Sequence, residues 1–201
     1  MILAKVFKRV LAAVALLAAV PVAAQSYSDG YSFLKAVKER DGAKATELAS
    51  KPGTTVINSK ESGSGDSALH IVTRARDYNW LSFLLGKGIR ADLQDRSGAT
   101  ALSIAAQLGW VEGAELLLRQ GASPDLANSR GETPLILAVQ RRDMALVRVL
   151  LARGANPKRA DSAAGLSAID YATRDGARSA SILKLLETPP APARKVAGPK
   201  L

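Results

Sequence analysis

His70 is the one imidazole in 201 residues, and cysteine is absent. Thiol nucleophiles, disulfides and thiolate metal sites are thereby excluded, as is a site built from several histidines. Any Ser-His-Asp arrangement would have to use His70 as its base. No serine sits in a Gly-x-Ser-x-Gly elbow, however, and no His-Glu-x-x-His or phosphate-loop pattern occurs. The closest approach, GSGDS at 63–67, lacks the lysine that would grip a phosphate. Asp92 with Asp95, and Asp161 with Asp170, are the acidic pairs a cation would need. Their setting in loops and at a helix start points instead to solvation and capping. The residues argue against an enzyme, and neither cofactor nor metal is expected.

Charge narrows the classes further. The formal net charge is +10. Lys5, Lys8 and Arg9 account for three of these, and removing them leaves +7; Arg194, Lys195 and Lys200 account for three more, leaving +4 on the middle of the chain. A nucleic-acid partner would need charge concentrated on one face, and that modest excess argues against it.

The first 24 residues have their own logic. Lys5, Lys8 and Arg9 precede an uninterrupted apolar run from Val10 to Val20; Pro21 then breaks it, and Val22-Ala23-Ala24 supplies small residues before Gln25. This is the pattern of a cleavable secretory signal, with an apolar run short for a membrane span. Residues 1–24 are expected to be removed and the mature chain to reside in the periplasm or outside the cell. A retained membrane tether is the alternative. Residues 25–31 read as a short linker.

The elements that would position any site come from a repeat. Segments opening at Gly65, Gly98, Gly131 and Gly165 align at spacings of 33, 33 and 34. Each opens with glycine and then a hydroxyl (Ser67, Thr100, Thr133 or Ser167) suited to capping a helix. Pro134 stands where the first-turn N–H has no intrahelical partner. Apolar residues follow at helical spacing, among them Leu69, Leu102, Leu135 and Ile169. Second helices end in FLL, LLL, VLL or KLL. Gly88, Gly121 and Gly154 fall where a helix-terminating residue turns left-handed. Trp80 and Trp110 begin second helices and are expected to pack, with Trp110 the alternative candidate for a part-exposed anchor.

Gly-x-Thr-Pro-Leu-x-x-Ala…Leu-Leu-x-x-Gly-Ala at this period resembles the ankyrin repeat family, here as an exported bacterial member. Gly131, Thr133, Pro134, Leu135, Ala138, Leu150, Leu151, Gly154 and Ala155 carry the match. The resemblance implies an all-α solenoid of stacked helix-turn-helix units with β-hairpin-like finger loops, and it covers 65–187 strongly. Ser32 to Asn58 reads as a degenerate N-terminal capping unit, with Phe33, Ala36, Asp41 and Leu48 in phase. SKESGSG at 59–65 reads as a longer, flexible finger, the unit from Gly165 to Glu187 as the C-terminal cap, and 188–201 as a disordered Pro/Lys-rich tail. The family's histidine survives only as His70, implying a structural hydrogen-bonding role between neighbouring units. Arg76 and Arg142 replace the turn glycine.

The resemblance also implies non-enzymatic protein binding through the groove of finger tips and first helices. The matching first-helix ends are Arg74, Gln107, Gln140 with Arg141, and Arg174; finger positions include Arg96 and Arg130. Together they suggest a mildly basic groove for an acidic protein segment. The chain is expected to be a monomer without stable membrane insertion after cleavage. Two specialisations stand beside this reading. One is an accessory or protective factor for an exported enzyme, for example in oxidative-stress defence. The other is a membrane-tethered or anionic-surface scaffold.

Overall fold

The computed structural model describes residues 22–51 and 55–188. They fall into two compact units, one ending at Ser59 and one beginning at Lys60.

The first unit is a helix pair, α1 (Val22–Glu39) and α2 (Gly42–Ala49), followed by a 3-10 turn at Val56–Asn58. Phe33, Ala36 and Val37 on α1 and Ala45 and Leu48 on α2 are buried. Their 3- and 4-residue spacing is the apolar stripe that holds an amphipathic pair together. Asp41 caps α2, its Oδ1 accepting from the amide of Lys44 at 2.9 Å. Residues 25–31, expected as a linker, are helical, because α1 begins at Val22. Of the segments expected as signal and tail, 1–21 and 189–201 lie outside the described residues. Among the described residues no helix is long and apolar enough to cross a membrane.

The second unit stacks four helix pairs: α3 (Ala68–Arg74) with α4 (Tyr78–Gly86), α5 (Ala101–Leu108) with α6 (Val111–Arg119), α7 (Pro134–Gln140) with α8 (Met144–Ala152), and α9 (Ala168–Asp175) with α10 (Ala180–Glu187). A 3-10 turn, Gly176–Ser179, carries the extra residue between the last two. First helices pack on first helices and second helices on second helices in sequence order. Leu69, Leu102 and Leu135 are at most 1% exposed, as are Leu84, Leu117 and Leu150. Each such side chain contributes roughly 1.5–3 kcal/mol on burial. A unit of two helices cannot enclose its own leucines; its neighbours do.

Several starts and stops have an identified cause. Thr100 and Thr133 accept from the amides of Ser103 at 3.1 Å and Ile136 at 3.3 Å. Pro134 occupies the first turn of α7. Second helices end in a left-handed glycine: Gly88, Gly121 and Gly154 have φ of 82°, 88° and 85°. The next residue's amide then bonds back five residues, as Ala122 does to Leu117 O at 3.0 Å.

Among the described residues the fingers form no strand. Their stems close by single antiparallel bridges, Lys60 with Ser67, Gln94 with Thr100 and Ala160 with Ser167. The 59–65 segment, expected to be flexible, is a closed turn. The amide of Glu61 donates to Asp66 O at 2.9 Å and that of Gly65 to Glu61 O at 3.0 Å.

Candidate functional site

The fingers of the second unit are joined by a backbone ladder. Arg96 N donates to Ser64 O at 3.1 Å, Ser129 N to Ser97 O at 2.9 Å, and Ser162 N to Arg130 O at 2.9 Å. Each bond links one finger tip to the next. The ladder brings backbone so close that a Cβ on Gly65 or Gly98 would lie 2.8 Å or 2.7 Å from an amide nitrogen of the next finger. A Cβ on Gly131 would collide with Ser162, whereas one on Gly165 would meet nothing within 4 Å. The repeated glycine therefore admits the neighbouring finger, besides adopting positive φ.

Within each finger one acidic or amide side chain holds the turn. Asp95 Oδ1 accepts from Ser97 N at 2.8 Å and Ala99 N at 2.9 Å. Asn128 Oδ1 accepts from Arg130 N at 2.9 Å and Glu132 N at 3.0 Å. Asp161 Oδ1 accepts from Ala164 N at 2.7 Å and Gly165 N at 3.0 Å, a register shift that absorbs the extra residue. Desolvation pushes the Asp95 and Asp161 carboxyls up, but the Ser97 and Tyr171 hydroxyls, together with these amides, hold them below the ordinary range. Asp92 and Asp125 link units instead, accepting from Ser123 N and Asn156 N at 2.8 Å each. The acidic side chains once weighed as cation ligands are thus engaged with backbone amides.

His70 is fully buried. Its Nδ1 lies 2.7 Å from Ser67 Oγ and accepts from Ser67 N at 3.1 Å, while Nε2 lies 2.9 Å from Ala99 O in the next finger. Nε2 therefore carries the proton, and the ring is a clamp between two units. Burial pushes its pKa down; the bond to Ala99 and the carboxylates of Asp66 and Asp95 oppose this. The equivalent positions perform only the local half of that task. Ser103 Oγ accepts from Thr100 N at 2.8 Å, Asp170 Oδ2 accepts from Ser167 N at 2.8 Å, and Ile136 has no polar atom to offer.

The arginines and glutamines expected to meet a partner do not behave alike. Arg74 is tied to Asp66 at 3.3 Å and Asp95 at 3.1 Å. Arg96 donates to Ser62 O across the finger junction. Arg130 is closed onto Glu132, with Nη2 at 2.6 Å and Nε at 2.9 Å. These three are largely spent on internal bonds. Arg141 lies against Gly109 of the preceding pair. Gln107, Gln140 and Arg174 are exposed at the ends of α5, α7 and α9. Arg174 is stacked over the Tyr171 ring, 5.0 Å from its centroid. Trp110, the alternative anchor, is only 7% exposed. Its ring covers Gly113, where a Cβ would collide with it. Trp80 is half-buried, edge-on to Phe83 at 5.3 Å.

Three residues outside the expected contact set, Arg142, Tyr171 and Asp175, also belong to the site. Arg142 has φ 57° and reaches the next pair, Nε to Asp175 Oδ2 at 2.6 Å and Nη2 to Oδ1 at 2.7 Å. The Arg142 fork and the Ser179 hydroxyl hold the Asp175 carboxyl far below the usual range. Tyr171 donates to Asp161 Oδ2 at 2.6 Å, which raises its pKa. A signal existed: Arg142 and Asp175 are 33 residues apart and of opposite charge. Arg76 makes the corresponding reach, donating to Leu108 O. Val139, Gln140, Arg142, Tyr171, Arg174 and Asp175 line a cleft of ≈ 300 Å³ between the ends of α7 and α9.

The family model for ankyrin repeats (3 copies) matches residues 33–128 and 114–190. The chain belongs to the ankyrin repeat family, a family of protein-interaction modules that is typically non-enzymatic. No curated protein matches it.

Proposed function

We propose that this chain is an exported, non-enzymatic binding protein that takes an acidic protein segment along the ends of its first helices. One observation carries the reading. Gln107, Gln140 and Arg174 are exposed at the same register of three consecutive, mutually packed helices. Most polar side chains around them are consumed by internal bonds, so this row is what the repeat offers to a partner. The row has donors and a positive charge, which suits carboxylates and backbone carbonyls of an extended chain.

Export rests on the Lys5-Lys8-Arg9 start, the apolar run and the Val22-Ala23-Ala24 boundary. The site of action is then the periplasm or the medium, and the chain acts as a monomer. Affinity capture from a periplasmic extract, with the chain tagged at its C terminus, tests the binding reading. A specific partner is expected, and its capture should weaken on changing Gln107, Gln140 and Arg174 together to Glu. Capture indifferent to all three would place the contact elsewhere. N-terminal sequencing of the protein recovered from cells should begin at Gln25; recovery of Met1 would overturn cleavage.

A further inference from the structure

The arginines of the second unit differ in their neighbours. At the end of α3 the guanidinium of Arg74 is offset by Asp66 and Asp95. In the fingers Arg130 is offset by Glu132. In the cleft between α7 and α9 the Arg142 and Asp175 charges cancel through a two-point bond. Arg174 sits at the edge of that same cleft. Among the described residues no carboxylate lies within salt-bridge distance of it. Stacking on Tyr171 restricts its side chain without neutralising it. Tyr171 is itself fixed by Asp161, and Gln140 lines the same cleft. A guanidinium held on a fixed ring has lost part of its rotamer freedom before any ligand arrives, which lowers the entropy cost of using it.

We infer that this cleft is a subsite for one acidic side chain, an aspartate or glutamate of the bound protein segment, gripped by Arg174 with Gln140 beside it. The inference rests on the binding reading above and deepens it, by moving the charge recognition from the whole row to its C-terminal end. The carboxylate would approach Arg174 from the open side, the other face of the guanidinium being covered by Tyr171. The Arg142–Asp175 pair also lines the cleft. It adds no net charge, and its carboxylate already accepts from two Arg142 nitrogens and the Ser179 hydroxyl, so it does not repel the ligand strongly. Val139 supplies an apolar floor for the methylene groups of the acidic residue.

The test uses a phage-displayed library of random dodecapeptides selected against the immobilised full chain. Selected peptides should be enriched in Asp or Glu at one position. A synthetic peptide from that set should bind about tenfold more weakly to Arg174→Gln and to its own Glu→Gln analogue. The two changes together should cost little more than either alone. Arg174→Lys should recover part of the loss, and Arg119→Gln, at the end of a second helix, should leave affinity unchanged. Circular dichroism of each variant separates binding from folding. Selected peptides without acidic enrichment, or with affinity indifferent to Arg174, would overturn the subsite while leaving protein binding intact. Neither selected peptides nor a captured partner would overturn the binding reading itself, and the subsite with it.

Discussion

The amide of Ser162 donates to the carbonyl oxygen of Arg130 at 2.9 Å, directly above the α-carbon of Gly131. One finger thus reads the backbone position of the one before it, and a hydrogen atom is all the space between them allows.

Gly131→Ala and Gly165→Ala separate the two demands on this glycine. Both have positive φ, 75° and 66°, so both alanine variants incur about 1–2 kcal/mol of left-handed strain. Only at Gly131 does the new methyl strike Ser162. Urea unfolding should show Gly131→Ala clearly less stable than Gly165→Ala. Equal losses would mean the ladder yields without cost.

His70 makes stability depend on pH with a defined sign. Burial lowers its folded pKa below the ordinary imidazole value of 6.5, so the unfolded chain binds the proton more readily. The stabilisation is then complete above about pH 6.5 and is lost as pH falls toward the folded pKa. Urea midpoints of the native chain should decline from pH 7.5 to 5.5. A His70→Ser variant, carrying the residue type of position 103, should be flatter over that window. At pH 7.5 His70→Ala should lose roughly 1–3 kcal/mol, because Ala99 O and Ser67 N are left unpaired.

Leu135 is fully buried in α7. Leu135→Ala should cost about 2–5 kcal/mol in chemical unfolding, by lost transfer energy and the cavity left behind. Thr133→Ala, which removes only the cap on Ile136 N, should cost about 1 kcal/mol. The reverse order would mean that capping outweighs stacking here.

The Arg142–Asp175 bridge predicts a salt effect. Asp175→Asn should lower the melting temperature at low ionic strength, and the gap to the native chain should narrow in concentrated salt. Because the folded carboxyl titrates far below its unfolded value, the native advantage should persist above about pH 4 and fade on further acidification. A gap unchanged by salt would point to the lost bond to Ser179 instead.

The stack was readable because one geometric demand recurs in every unit. Leu69, Leu102 and Leu135, or Gly88, Gly121 and Gly154, meet the same surroundings each time, so their identities repeat in register. Helix α1 was harder to read. SYSDG has the composition of a loop, yet Gly30 lies in a helix and packs so that a Cβ would fall 2.6 Å from Ser59 Oγ. Packing overrode local propensity there. The basic row was legible as positions but not as charges. Whether an arginine is available depends on acids 2, 8, 21 or 33 residues away, as Arg130, Arg74 and Arg142 show. A long side chain chooses among them in space.

The finger ladder has a consequence for how such a chain can change length. Its bonds link positions 32 residues apart at all three steps, and their donors, Arg96, Ser129 and Ser162, recur every 33 residues. Deleting or duplicating a whole stride, for instance Gly98 through Arg130, rejoins a carbonyl to an amide at the seam and sets glycine beneath it again. An insertion before a tip residue of a finger offers the neighbouring finger no matching partner, whereas the extra residue of the Asp161 finger follows Ser162, beyond the last ladder bond. Variation in size is thereby quantised, and surface changes within a stride can accumulate without disturbing the count.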